Sequence, residues 1–225
     1  MLKAILYDLG DVFFEAHYWR KWNFEQLTSM SYFKGKFKEF YELYESFLEP
    51  VYKGEIKYKQ AFMKFLDHLN VPDSNEFYKV SFEKKLFFEQ NRILFNGVKE
   101  TLCELKKKSI LNIVITDNES SEIQIRKDII EKFKINQYID KVISSKDLRI
   151  SKTNPIIYKI TLDLFELNYD EVLFIAHDKN EIDGAIQVGI KVVEFNNYLQ
   201  ESTDAEYKIE KFCEIIEIIR NSNSK

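Results

Sequence analysis

Short, nearly continuous apolar runs mark the chain at residues 3–7, 111–115, 141–144, 172–176 and 191–195. None alternates polar with apolar, which is the pattern of strands buried on both faces. Helical periodicity fills the spaces around the later four, at 98–107, 123–133, 155–165 and 181–188. Strands alternating with helices predict an α/β fold, a Rossmann-like parallel sheet covered by helices on both faces. Chemistry on such a sheet belongs at the carboxyl ends of the strands. Asp8, Thr116 and the pair His177–Asp178 each directly follow a run, and Lys152 follows the third by a short loop. Four polar positions are therefore expected to converge on one edge.

Residues 13–95 break this rhythm. They contain 23 of the chain's 34 aromatic residues and no convincing strand. Phe37, Phe40, Tyr41, Tyr44, Phe47 and Leu48 recur at helical spacing, as do Ala61, Phe62, Phe65, Leu66 and Leu69. Asp73 followed by Glu76 reads as a capping box that opens a further helix. The pattern predicts a helical subdomain over 13–95, inserted into an α/β core built from 1–12 and 96–225. The simplest use of so many rings is the subdomain's own core. Towards the end, Ile209, Phe212, Cys213, Ile216 and Ile219 suggest an amphipathic helix packed on the sheet, and 221–225 read as a disordered tail.

Composition narrows the function classes. With 225 residues, 45% of them hydrophobic, the chain can bury one sizeable core beside an inserted subdomain. A net charge of −4 gives no basic footprint for nucleic acid or an anionic membrane. The run Lys106–Lys107–Lys108 reads as a solvated helix end. Cys103 and Cys213 form neither a metal-ligand spacing nor a disulfide framework, so a reducing cytoplasm is expected. No apolar stretch approaches membrane-spanning length. A monomer and a homodimer are both compatible with this reading.

Four segments carry the chemistry. The first is Asp8-Leu9-Gly10-Asp11-Val12, and the second is Thr116, followed by Asp117-Asn118-Glu119 at a helix start. The third is Lys152-Thr153-Asn154-Pro155-Ile156-Ile157-Tyr158, with Asn154 and Pro155 suited to the first positions of a helix. The fourth runs from Phe174 through His177, Asp178, Glu181 and Asp183 to Gly184-Ala185. In order and spacing they resemble the motifs of the haloacid dehalogenase (HAD) superfamily. Tyr52-Lys53-Gly54-Glu55-Ile56 extends the likeness to the branch that contains bacterial glucose-1-phosphate phosphatase. The resemblance covers residues 3–195. It implies a helical cap over 13–95 and Asp8 as nucleophile. Lys152 would be a second catalytic group, with Thr116, Asp117 and Lys152 at the phosphate. Mg²⁺ would be held by Asp8, the Gly10 carbonyl, Asp178 and Glu181.

Two departures stand out. Gly10 occupies the position of the family's second aspartate, the proton donor to the leaving group; Asp11 is turned elsewhere, and Glu15 is a further candidate. In the fourth segment, alignment on Gly184-Ala185 puts His177 at the metal position with Glu181 following, whereas a one-residue shift puts Asp178 there with Asp183 following. Histidine is not a simple replacement for a carboxylate towards a hard, oxygen-seeking ion. The expected function is hydrolysis of a small phosphorylated metabolite, sugar phosphate-like, through an aspartyl-phosphate. Alternatives are a catalytically weakened binding or regulatory protein on the same scaffold, and a dehalogenase-like hydrolase for which the cap offers Arg20 and Arg92.

Overall fold

The computed structural model describes residues 2–222. Its sheet has six strands in the order β3-β2-β1-β4-β5-β6, every neighbouring pair parallel. The strands are β1 (Ala4–Tyr7), β2 (Leu111–Thr116), β3 (Lys141–Ser144), β4 (Val172–Ala176), β5 (Lys191–Phe195) and β6 (Tyr207–Ile209). Five coincide with the apolar runs. The sixth corrects the expectation for Ile209, which pairs with Phe195 rather than joining a helix. Three residues are too few for a period to register.

Alternation along each strand sends side chains to opposite faces. Ala4, Leu6, Ile113, Ile115 and Phe174 pack under α8 (Ile156–Leu164) and α9 (Lys179–Ile186). Ile5, Tyr7, Val114, Ile175 and Val193 pack under α5 (Val98–Lys107) and α10 (Ile215–Ser222). Asn221 and Ser222 are therefore helical and not part of a loose tail, while 223–225 lie outside the described residues. One polar group interrupts the apolar layer. Asn112 accepts from the Tyr7 hydroxyl at 3.0 Å and donates to the carbonyls of Leu102 and Tyr138, so its buried amide is satisfied. The helix expected over 123–133 is short. It comprises α6 (Glu122–Ile125), which runs into a π-helical turn at Arg126–Ile130. A four-residue helix, α7 (Ser145–Leu148), follows β3.

The aromatic segment forms α1 (Tyr18–Ser29), α2 (Phe37–Tyr52), α3 (Tyr58–His68) and α4 (Ser74–Gln90) around an apolar cluster of its own. Phe65 is fully buried at its centre, with ring centroids 5.0 Å from Tyr44 and 5.6 Å from Phe40. Helix α4 starts where expected, but the Asp73 side chain makes no capping bond. The Ser74 hydroxyl instead donates back to the Val71 carbonyl at 2.7 Å. Gly54, at φ +69°, turns the chain after α2 in the left-handed region that glycine occupies without strain. The Ser145 hydroxyl donates to the Tyr52 carbonyl at 2.9 Å and ties that turn to the sheet edge.

Replacing Phe65 by alanine should lower stability by about 3–5 kcal/mol, the usual result of emptying a fully buried aromatic site. Urea unfolding measures it, and a loss below about 1 kcal/mol would contradict a close-packed cluster.

Candidate active site

Strand β1 lies between β2 and β4, and the chain leaves it in both directions across the sheet. That is a topological switch point, where open parallel sheets leave a crevice beyond the strand ends. Asp8 follows β1 and His177 follows β4, so the crevice floor is built from these two loops. The Asp8 backbone N–H donates to Ile175 at 3.0 Å and fixes the loop against β4.

The Asp8 carboxylate is buried, and each oxygen faces a nitrogen donor. The Lys152 ammonium contacts Oδ1, and His177 Nε2 lies 3.2 Å from Oδ2. Lys152 Nζ also reaches Glu181 Oε1 at 2.6 Å. Glycine at 184 lets α9 approach the loop that carries Lys152, since a Cβ there would lie 3.1 Å from the Lys152 carbonyl. The Tyr158 hydroxyl donates to the Glu181 carbonyl at 3.0 Å and locks the same contact from α8.

These contacts set the charges. Burial would raise the Asp8 pKa, but the Lys152 ammonium and the His177 hydrogen bond outweigh it and hold it at about 2. Burial would lower His177, but its bond to Asp8 and the charge of Asp11 push it up to about 9. Burial raises Glu181, and the neighbouring Asp8 charge raises it further. Lys152 is held charged by Asp8 and Glu181 in spite of its burial. At neutral pH the floor therefore sets the Asp8 carboxylate between two cations.

The cavity above the floor has a volume of about 390 Å³. Thr116, Asp117, Lys152, Asp178 and Glu181 all line it, as does Gly10. The structure thus brings every expected site residue to one hollow, with differing roles. Both oxygens of Asp117 accept from the Lys152 backbone N–H, at 3.0 and 3.2 Å. Asp178 caps α9, accepting from the Asn180 N–H at 2.8 Å. Asp183 pairs with Lys179 on the surface side of α9. The alignment on Gly184-Ala185 is therefore the one the fold follows, with His177 and Glu181 beside Asp8.

Gly10 has no room for a side chain, because a Cβ there would lie 2.9 Å from the Ala16 Cβ. Asp11 is turned away at φ +58° and accepts from the Ala16 N–H at 2.8 Å and from His17 Nδ1 at 2.7 Å. Glu15 is not among the residues that line the cavity.

The helical insertion forms the roof with Arg20, which the sequence offered only for a halide, and with Glu45, Tyr52 and Lys85, which sequence reasoning missed. Arg20 Nε donates to Glu45 at 2.5 Å, and the Tyr52 hydroxyl donates to the other Glu45 oxygen at 2.6 Å. Lys85 pairs with Glu89 and crosses to Glu119 of the core at 3.3 Å. A signal was present: Arg20 lies on the same face of α1 as Asn23 and Leu27, three and seven positions on. A charge on an apolar helix face is the mark of an inward-pointing group.

The profile of the haloacid dehalogenase-like hydrolases matches residues 25–195. The chain belongs to that family. A phosphoglycolate phosphatase of Pectobacterium atrosepticum is 25% identical over 136 residues, covering 58% of this chain and 57% of the relative. An (S)-2-haloacid dehalogenase of Burkholderia cepacia is 27% identical over 97 residues, covering 43% and 41%. The chain thus spans about half the length of these curated relatives. The solved structure of a predicted phosphoglycolate phosphatase from Haemophilus somnus superposes with a TM-score of 0.66 at 17% identity, covering 97% of this chain and 98% of that one. These relatives include both phosphatases and a dehalogenase, so they identify the family and not a branch of it.

HAD-like hydrolases generally use Mg²⁺. In this member Asp8, His177 and Glu181 offer ligand atoms within 4.8 Å of one another. The set does not fit that ion. Mg²⁺ demands oxygen ligands in near-octahedral array, and here one position is an imidazole that holds its proton at neutral pH. One Glu181 oxygen is taken by Lys152 while Oε2 is buried without a hydrogen-bond partner, and one Asp178 oxygen is spent on the helix cap.

Stability should report the His177 contact. Its folded pKa of about 9 lies above the ordinary 6.5, so the contact stabilises fully below 6.5 and is lost as pH rises through 9. The stability difference between the wild type and His177→Gln, from urea unfolding, should shrink across that window. A difference constant from pH 6 to about pH 9.5 would count against the charged contact.

Proposed function

We propose that this HAD-like hydrolase cleaves small phosphomonoesters, sugar phosphate-like, through an aspartyl-phosphate on Asp8. One observation carries the reading: an ionised carboxylate fixed between the Lys152 ammonium and His177 at the base of the cavity. A carboxylate is a weak nucleophile in water, but alignment with phosphorus turns a rare encounter into a positioned one. An Asp8 oxygen attacks phosphorus, and the bond to the leaving oxygen breaks on the side facing the helical roof. Lys152 and the His177 N–H take up negative charge on the phosphoryl oxygens, the part a divalent ion plays elsewhere. Thr116 lines the same cavity, and its hydroxyl would hold a third oxygen. Water then cleaves the acyl-phosphate and frees Asp8.

The dehalogenase reading has weaker support. It needs a free arginine for the halide, and Arg20 and Arg92 are both paired, with Glu45 and Glu89. The binding-protein reading is favoured by Gly10 and His177 together, and it makes the opposite prediction about turnover. Among the described residues no helix is long and apolar enough to cross a membrane. Cys103 and Cys213 are unpaired.

A phosphatase screen over sugar phosphates and nucleotides, run in EDTA and again with millimolar Mg²⁺, tests the proposal. Turnover should appear in EDTA, change little with Mg²⁺, and vanish in Asp8→Asn. Activity that survives Asp8→Asn would end the nucleophile assignment. No turnover on any compound would favour the binding protein.

A further inference from the structure

In-line displacement fixes where the leaving group must go. Asp8 attacks from the sheet, so the departing oxygen points away from the floor and towards α1 and α2. Gly10 supplies no acid there, and Asp11, though it lines the cavity, is engaged through Oδ1 by the Ala16 N–H and by His17. Glu181 lies on the floor beside Lys152, and Asp178 is bound to the start of α9. Glu42, Glu45, Glu49, Glu89, Glu119 and Glu201 also line the cavity, but each is paired with a lysine or arginine, which leaves Asp117.

Asp117 stands just past the end of β2, the neighbour of β1 on the side away from His177. Lys152 places it: the ammonium of that residue touches Asp8, and its backbone N–H donates to Asp117. The roof is near as well, since Glu45 and Tyr52 of α2 line the same cavity as Asp117. Asp117 therefore lines the cavity beside both nucleophile and roof, and its two oxygens share a single N–H, which leaves each a lone pair to carry a proton.

We propose that Asp117 is the proton donor to the leaving oxygen, replacing the carboxylate that Gly10 cannot supply. The role rests on the phosphatase reading. In the first half-reaction the Asp8 oxygen bonds to phosphorus, the P–O bond to the alcohol breaks, and the Asp117 proton goes to the departing oxygen. In the second, ionised Asp117 takes a proton from water as the water oxygen attacks phosphorus. The acyl-phosphate bond breaks, inorganic phosphate leaves, and Asp8 and protonated Asp117 are restored. Burial suits the group to both halves. It lifts the Asp117 pKa to about 6 against the Lys152 charge, with Asp8 and Glu45 adding to the rise. Lys53, Tyr52 and Tyr158 are the other titratable groups that sense it.

Leaving-group dependence tests the role. Asparagine at 117 keeps an oxygen for the Lys152 N–H, so Asp117→Asn preserves the local fold. In single-turnover experiments that isolate the first half-reaction, transfer from glucose 6-phosphate, whose alkoxide needs a proton, should slow by about 10²–10⁴-fold, while the p-nitrophenolate burst from p-nitrophenyl phosphate, whose phenolate leaves unaided, should change less than about threefold. The wild-type rate on glucose 6-phosphate should fall as pH rises past the acid's pKa, and Asp117→Asn should lose that fall. Equal losses on both compounds, or none on either, would overturn the assignment. So would a wild-type protein that cleaves only p-nitrophenyl phosphate, since no working acid would then be in place. If the wild type cleaves neither, the phosphatase reading itself is lost and this role goes with it.

Discussion

The buried contact between Asp8 and Lys152 joins residues 144 positions apart, and the rest of the site is arranged around it. Removing two charges from water costs several kcal/mol each, so such a pair survives only with further bonds in place. They are present: His177 on the second Asp8 oxygen, and Glu181 on the ammonium. Losing one partner would leave the other charge buried and uncompensated, a loss typically of about 3–5 kcal/mol. The fold meets this constraint with small structural choices. Glycine at 184 allows α9 to close on the Lys152 loop, and Tyr158 ties the two together.

The layered sheet was legible because strands buried on both faces leave continuous apolar runs, and helices between them leave a 3.6-residue period. Asp8, Thr116, Lys152 and Glu181 were legible for a related reason, since each stands at a fixed offset from a strand or helix start. What escaped depended on contacts between distant segments. Position 209 reads as helical from its spacing with 212, 213, 216 and 219, and only pairing with β5 makes it strand. Whether Asp178 or His177 faces the nucleophile turned on a one-residue shift. The shift was settled by Asp178 capping α9 and Ile182 entering the core. At Asp73 the local signal was right about the helix and wrong about the bond, because the Ser74 hydroxyl turned back to Val71 instead.

The roof explains why charge composition alone says little about the ligand. Its cations are held by carboxylates: Arg20 by Glu45, Lys85 by Glu89 and Glu119, and Arg92 by Glu89. Aromatic rings hold them as well, with the Arg20 guanidinium 4.5 Å from the Trp19 ring centre and Lys85 Nζ 5.1 Å from that of Tyr58. A guanidinium fixed in this way keeps its hydrogen-bonding edge occupied. The roof's positive charge is thus matched within the roof, and Lys152 and His177 are the cations that stand beside Asp8. The Lys85–Glu119 pair also bridges helix and core across the cavity, so opening the roof must break a partly buried ion pair.

The two departures from the family pattern make sense as one change. A floor with acidic groups at 8, 10, 177 and 181 and a single lysine is short of positive charge, and a divalent ion corrects that shortage. Glycine at 10 removes one negative charge, and histidine at 177 exchanges another for a positive one. The floor then balances with protein groups alone. The backbone records the same change. Asp11, at φ +58°, draws the Ala16 N–H towards itself, and Ala16 comes so close that position 10 has no space for a Cβ. An aspartate restored at 10 would meet Ala16 before it could reach a leaving group. It would also add a negative charge beside Asp8 with no ion to offset it. Proton transfer must then come from another wall of the cavity, and Asp117 is the carboxyl that the Lys152 backbone holds there.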